Sequence, residues 1–452
     1  MTLPSRIAVI DIGKTNAKVV LIRDGAQVAV RSTPNAPLKE GPYPHADVDR
    51  LWTFIRDSLA ALAAEHGIDG ISITTHGATA ALLSGDRLAL PVLDYEHTGP
   101  EETAADYAAA RPDFAETLSP RLPNGLNLGA QLFWQSRHFA EAFTTVTDIL
   151  PYPQYWAWRL TGVKASEVTS LGCHTDLWAP DHGTLSSLVE RQGWSGLFPP
   201  VVPAASVLGT LRPDLAAELG LAADTPVTCG IHDSNASLIP HLGALETPFT
   251  IVSSGTWTIT MTVGGPTEGL DPARDSLANV DAFGRPVPTA RFMGGREFDL
   301  LAPGAEEPTT DDVARVIAGD VQVLPGFVPG VGPFPNRAGE WTVAAETLSP
   351  GERTAATSLY LALVTEAAIG LCGKGRSVTI EGPLARNRLY AAALARLLGV
   401  PVFASGDATG TSLGAAMLFD PKAGAAQPGV AVEPLAADGF ATYAARWRER
   451  VR

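Results

Sequence analysis

The chain has 452 residues, 45% of them hydrophobic and 18% charged, with a net charge of −15 at pH 7. That length exceeds what one hydrophobic core usually sustains and calls for two domains of about 200 residues each, while the acidic balance excludes nucleic acid or an anionic membrane surface as the principal partner, since both select basic surface. Three scattered cysteines, Cys173, Cys229 and Cys372, suggest neither a disulfide framework nor a zinc site, and no run of eighteen apolar residues occurs, so a cytoplasmic protein without a membrane segment is expected.

In chain order, the first element is a strand, Ile7–Ile10, followed by a turn and a return strand, Lys18–Ile22. The turn Asp11-Ile12-Gly13-Lys14-Thr15-Asn16 contains the Gly-Lys-Thr order of a P-loop, but Ala8 stands where the P-loop's first glycine belongs and no helix follows. A Walker-type site is therefore disfavoured. A glycine turn that carries a carboxylate, an amine, a hydroxyl and an amide still suits a phosphate and its metal. An amphipathic helix, Leu51–His66, closed by Gly67, and a strand, Gly70–Thr75, complete an α/β opening. The stretch from about Ala104 to Gly220 is richer in Trp, Pro and polar residues, with a helix at Gln154–Leu160 closed by Thr161-Gly162. It reads as an inserted or capping region rather than sheet core, and Arg121, Asn124 and Asn127 are its candidates for a substrate contact.

A second α/β pattern starts near Thr225. In Cys229-Gly230-Ile231-His232-Asp233-Ser234-Asn235-Ala236 a strand ends in Gly and a helix Ser234–Ile239 opens, which places Asp233 near a helix N-terminus. An N-cap is the ordinary role there. A hydroxyl that attacks a phosphoryl group, however, needs a carboxylate to orient it and take its proton, and Asp233 is placed to do so, with His232 as a structural or substrate neighbour. Strands Pro248–Ser253 and Trp257–Val263 flank the turn Ser254-Gly255-Thr256 and repeat the plan of the first hairpin. Helices Thr354–Leu371 and Arg388–Leu398 surround a strand, Ser377–Ile380; Gln322–Arg337 is a Pro- and Gly-rich loop or lid. The small residues of Thr409–Ala416 suit helix packing, and the Ala- and Pro-rich tail beyond about Lys422 is read as peripheral. No His-Glu-x-x-His, Cys-x-x-Cys or Gly-x-Ser-x-Gly motif supports zinc hydrolysis or serine esterase chemistry.

Taken in order, "DIGKTNAKVVLI", "THGATAALL", "ILPYPQYWAWRLTG", "GIHDSNASL", "SSGTWT", "EGPLARNRLYAAALARLLGVPV" and "ATGTSLGAAML" resemble the FGGY family of carbohydrate kinases, in the actin-like ATPase superfamily, over essentially the whole chain. The resemblance implies an α/β fold of two actin-like (ribonuclease H-like) domains, with mixed sheets flanked by helices, around a deep cleft. Residues 1–244 would bind sugar and residues 245–452 ATP. It implies an ATP-dependent kinase acting on a hydroxyl of a ketose, either a 6-deoxyketohexose such as L-fuculose or L-rhamnulose or a ketopentose. Asp233 would be the base, and Asp11, with Asp233, would hold Mg²⁺. Gly13, Lys14, Thr15 and Asn16 would face the terminal phosphates from one side and Gly255 and Thr256 from the other, with Gly382, Pro383 and Asn387 near the adenosine. Glu381 departs from the family's usual Gly, and Ile73-Thr74-Thr75-His76-Gly77 and Val92-Leu93-Asp94-Tyr95-Glu96-His97 replace two common substrate motifs. His76 and Glu96 are the sugar-contact candidates, beside His232 and Asp233, because a polyol needs acceptors and donors near its hydroxyls. A monomer or homodimer is implied. The alternatives are a catalytically inactive actin-like ATP or sugar sensor and another small-molecule kinase of the superfamily, such as an acyl-phosphate kinase, which would need no proton acceptor.

Overall fold

The computed structural model describes residues 3–405, 410–420 and 429–452. Thr409 of the small-residue motif and the first residues of the tail, including Lys422, lie outside the described residues. The chain divides into two compact units, one of Met1–Leu245, Asn279–Pro286 and Thr409–Ala426, the other of Glu246–Ala278, Val287–Ala408 and Gln427–Arg452.

In the first unit the apolar run at the N-terminus forms β1 (Arg6–Ile12), which returns as β2 (Asn16–Arg23) and β3 (Ala26–Pro34); β4 (Gly70–Thr75) lies on the other side of β1. Alternate residues of β1 enter different clusters, Ala8, Ile10 and Ile12 in one and Ile7 and Val9 in the other. A strand covered on both faces reads as continuous hydrophobicity. The sheet is extended by β5 (Val207–Thr210), β6 (Pro226–Thr228) and β7 (Ile231–His232), giving seven strands, with β6 and β7 both parallel to β4. Helix Val48–His66, capped by the Asp47 side chain, buries Leu51, Ile55, Leu59 and Leu62. Those positions recur every three or four residues, the stripe that an amphipathic helix lays on a sheet.

The middle of the chain is not solely an insertion, which corrects the sequence expectation. Val207–Thr210 supplies the sheet's edge strand, and helix Tyr152–Thr161 buries Tyr152, Tyr155 and Trp156 in the same core as β1. Aromatic side chains that looked like a cap are therefore sheet-covering core. The rest of that region forms its own cluster around Phe133, Leu171 and Trp178.

The second sheet, built almost wholly from the second unit, holds β8 (Phe249–Ser254), β9 (Thr258–Val263), β10 (Ser276–Val280), β11 (Pro286–Phe292), β12 (Val378–Glu381), β13 (Val402–Ala404) and β14 (Val430–Ala431) in the order β10-β11-β9-β8-β12-β13-β14. β8 and β9 are antiparallel, β9 and β11 antiparallel, and β8, β12 and β13 successively parallel. The set β3, β2, β1, β4 and β6 in the first unit has the same order and directions, so the two glycine hairpins mark a repeat of topology. Helix Pro350–Cys372, started by a capping box of Ser349 and Glu352, is long and apolar enough to cross a membrane, but 78% of its apolar window is buried within the core. The tail is not peripheral: helix Phe440–Arg450 buries Phe440, Tyr443, Ala444 and Trp447 in that same core, and Trp447 Nε1 donates to the Val323 carbonyl at 2.8 Å. Their spacing of three, one and three residues is a helical stripe hidden by the Ala- and Arg-rich surroundings.

Candidate active site

Three parallel strands of the first unit place its chemistry at one sheet edge. Asp11 on β1 pairs with Thr74 of β4, and Ile231 and His232 of β7 pair with Thr74 and Thr75. Strands are spaced by about 4.8 Å, so the carboxyl ends of β1, β4 and β7 deliver Asp11, His76 and Asp233 within a few side-chain lengths of one another. Asp11 accepts a hydrogen bond from Ser412 Oγ at 3.1 Å. Burial, and then the negative charge of Asp233, push its carboxyl up to about 6, partly offset by Lys18 and by the Ser412 bond. His76 donates its backbone N–H to the Ile12 carbonyl at 2.9 Å, and burial depresses its imidazole below the usual histidine range.

Asp233 is the first residue of a short helix, Asp233–Ala236, and its Oδ1 accepts from the Ser234 N–H at 2.6 Å. The expected helix Ser234–Ile239 is interrupted after Ala236 and resumes at Ile239–Leu242. Pro240 has no N–H to give the Ala236 carbonyl, which ends the first segment. His232 is buried; its Nδ1 lies 2.7 Å from Asn235 Oδ1 and its Nε2 3.2 Å from Asp233 Oδ1. Asn235 in turn donates through Nδ2 to the Val280 carbonyl. The His232 backbone N–H donates to Thr169 Oγ1 at 3.1 Å, and Thr169 donates to Glu167 Oε2 at 2.6 Å. Glu167 is fully buried, which raises its carboxyl to about 7. Neither Thr169 nor Glu167 was legible as part of the site, because only the fold brings residue 167 under residue 232.

The first glycine turn is closed by the Gly13 N–H on the Asn16 carbonyl at 2.9 Å and braced by Asn35 Nδ2 on the Gly13 carbonyl at 2.8 Å. Thr15 and Asn16 are exposed beside it. Lys14, read from the sequence as a phosphate contact, donates to Asp94 and lies 3.4 Å from Glu96 Oε2. Asp94 was not singled out in the sequence, yet its side chain is the buried one of the pair, 7% exposed against 66% for Glu96. Of the middle-region candidates, Asn127 is fully buried, caps helix Leu128–His138 and bonds Asp176 and Tyr107. It is a structural residue, and the substrate expectation for it is withdrawn. Arg121 Nη2 and the Asn124 N–H both meet Glu101 Oε1, at 3.2 and 2.6 Å.

In the second unit the turn after β8 is closed by the Gly255 N–H on the Trp257 carbonyl at 2.8 Å. Parallel pairing of Ser253 with Glu381 brings Gly382 and Pro383 against it; Ser254 Oγ donates to the Glu381 carbonyl at 2.5 Å and accepts from the Leu384 N–H at 3.0 Å. Gly382 has φ +79° and a Cβ there would fall 2.0 Å from the Ser254 carbonyl oxygen, so only glycine fits. Asn387 caps helix Arg388–Leu398 through Oδ1 on the Tyr390 N–H and donates to Ser358 Oγ, so both amide atoms are engaged within the unit. Gly294 and Gly295, unremarked in the sequence, open helix Gly294–Leu301 against the same turn: a Cβ on Gly295 would sit 2.1 Å from the Gly255 carbonyl oxygen. A Gly-Gly pair between a strand and a helix was the available signal. The Gln322–Arg337 loop is pinned by the Gly332 N–H on Asp275 Oδ2 at 2.8 Å and by Arg274 Nε on the Pro333 carbonyl at 3.0 Å.

Among the described residues no group of three or more His, Cys, Asp and Glu side chains is gathered as a metal cage. Two carboxylates at one sheet edge, with the charge of Asp233 raising the proton affinity of Asp11, fit a hard cation such as Mg²⁺ that keeps water and phosphate oxygens as its other ligands.

Residues 6–240 match the model of the FGGY family of carbohydrate kinases, N-terminal domain, and residues 246–428 that of the carbohydrate kinase FGGY C-terminal domain. The chain belongs to the FGGY family of carbohydrate kinases, whose two actin-like domains are the two sheets described above. Similar proteins include the L-xylulose/3-keto-L-gulonate kinase of Escherichia coli strain K12, 27% identical over 60% of this chain and 55% of that enzyme, and the L-fuculokinase of Salmonella typhi, 28% identical over 57% of each. The chain thus matches little more than half the length of either. A solved carbohydrate kinase from Novosphingobium aromaticivorans is 39% identical with a TM-score of 0.92, covering 98% of this chain and 100% of that one.

Proposed function

We propose that the protein is an ATP-dependent sugar kinase that phosphorylates a hydroxyl of a ketose, a 6-deoxyketohexose or a ketopentose, with Asp233 as the base. The observation that carries the reading is the shared sheet edge of Asp11 and Asp233, one carboxylate at the end of each of two parallel strands that flank β4. Asp233 accepts the proton of the sugar hydroxyl as that oxygen bonds to the γ-phosphorus and the bond to the ADP oxygen breaks. His232, locked by Asn235, holds the Asp233 carboxylate from behind. His76 and Glu96 contact the sugar, and the exposed Thr15 and Asn16 beside Gly13 donate to the terminal phosphates. Mg²⁺, held by Asp11 with Asp233, would neutralise the phosphate oxygens during transfer. Gly255, Thr256, Gly382 and Pro383 form the nucleotide side in the second unit. The L-fuculokinase and L-xylulose/3-keto-L-gulonate kinase names of the relatives support an acceptor of the keto-sugar class, and three buried free cysteines accord with a cytoplasmic location.

The test is ADP release from Mg·ATP over a panel of L-fuculose, L-rhamnulose, D- and L-xylulose, D- and L-ribulose, glycerol and acetate, with Asp233→Asn in parallel. Turnover on a ketose that falls by about 10³-fold or more in the variant is expected. Turnover on acetate alone, or an unaffected variant, overturns it.

A further inference from the structure

This inference rests on the kinase reading and narrows its substrate class. The turn Asp94-Tyr95-Glu96 leans on the glycine hairpin through Lys14. The lysine ammonium donates to Asp94, lies 3.4 Å from Glu96 Oε2 and sits 4.7 Å from the Tyr95 ring centroid. That ring also meets His76 edge-on at 5.3 Å, and Gly77 abuts His232, where a Cβ would lie 2.6 Å from Nε2. The sugar end of the site is therefore continuous from Lys14 to Asp233.

Its charges are unequal. Asp94 and Glu96 set two carboxylates against the one ammonium of Lys14, and the Asp94, Glu96 and Asp233 charges all act on Tyr95. Lys18 acts on Asp11 at the hairpin. The His232 imidazole acts electrostatically on His76 there. A free lysine at this place would attract the carboxylate of a sugar acid. Here Asp94, sealed from solvent, occupies that ammonium, and Glu96 adds a second negative charge at the rim.

We propose that Asp94, by holding Lys14, is a specificity-determining residue that tunes the site for uncharged ketoses and against aldonates and ketoaldonates. The excess negative charge costs a bound sugar carboxylate roughly a hundredfold in affinity at an effective dielectric of about 20. Mg·ATP, still an anion, is the common co-substrate of both sugars, so its own repulsion cancels in the ratio between them.

The experiment compares kcat/KM for a ketose and for the ketoaldonate of equal carbon number, at low and high salt, with binding of each sugar measured by calorimetry. The native protein is expected to favour the ketose by about 100-fold at low salt, less at high salt. Asp94→Asn and Glu96→Gln are each expected to narrow that ratio by about tenfold; Glu96, at the exposed rim, serves should the Asp94 variant fail to fold. Equal use of both sugars, or a ratio unchanged in a folded variant, overturns the inference. If no sugar is turned over, the kinase reading fails by itself and binding decides: tighter binding of the ketose upholds the charge selection, while equal or tighter binding of the ketoaldonate, or no binding of either, overturns it.

Discussion

Gly77 and His232 are packed so closely that a Cβ on Gly77 would lie 2.6 Å from His232 Nε2. That nitrogen is also 3.2 Å from Asp233 Oδ1, so the absence of a side chain at residue 77 sets where the imidazole, and with it the carboxylate, stands. Gly77→Ala is expected to lower kcat by about 10–100-fold with a smaller change in KM for ATP, because a displacement near 1 Å suffices to spoil in-line geometry. Steady-state kinetics check it, and a normal kcat would show that the imidazole does not position the base.

Asp11 supplies a pH signature. Its folded carboxyl is raised to about 6 from an ordinary value near 3.8, so the folded state binds the proton more tightly than the unfolded one. The resulting penalty is absent below the unfolded value, grows as pH rises and is complete above about 6. Asp11→Asn is accordingly expected to stabilise the metal-free protein by about 1–3 kcal/mol at pH 8 and little at pH 4, while abolishing kinase activity. Thermal melts across pH test this, and added Mg²⁺ should raise the native melting temperature at pH 8 but not that of the variant.

Gly382 offers a test confined to the second unit. With φ +79° and the Ser254 carbonyl 2.0 Å from any Cβ, Gly382→Ala must move the turn beside Gly255. Affinity for Mg·ATP, measured by calorimetry, is expected to fall by about tenfold or more, with ketose affinity retained. An unchanged nucleotide affinity would remove Gly382 from the nucleotide side.

Trp447 tests the tail. Its side chain is 1% exposed and donates to the Val323 carbonyl, so Trp447→Ala is expected to cost about 3–5 kcal/mol in denaturant unfolding of the second unit. A cost below about 1 kcal/mol would mean that the helix is dispensable.

Much of this was legible because it is local. The apolar runs of β1, β2, β8 and β9, the glycine turns between them, and the aspartates at strand ends are written in consecutive residues. What escaped depends on distance along the chain. Tyr152, Tyr155 and Trp156 declare an aromatic helix but not the sheet beneath it; Trp447 declares a helical stripe but not the strand Val323–Leu324 that it meets. Asp94 and Glu96 are two apart in sequence and differ in burial only because the turn that bears them folds against Lys14. Asn127 looked like a free amide until Asp176, 49 residues later, claimed it.

The first unit also carries a timetable. Its short helix Asp233–Ala236 is packed against Gly414, where a Cβ would fall 1.8 Å from the Ala236 carbonyl oxygen, and Ser72 and Asp11 take hydrogen bonds with Ala415 and Ser412. A ribosome that has emitted Leu245 has not yet made these partners. At synthesis rates of roughly 5–20 residues per second, about 10–30 s pass before they emerge, during which β4 and the Asp233 helix lack their covering. A nascent chain of this protein therefore holds Asp233 on an unfinished surface for about two-fifths of its synthesis, and the step that completes the first unit comes only after most of the second has been translated.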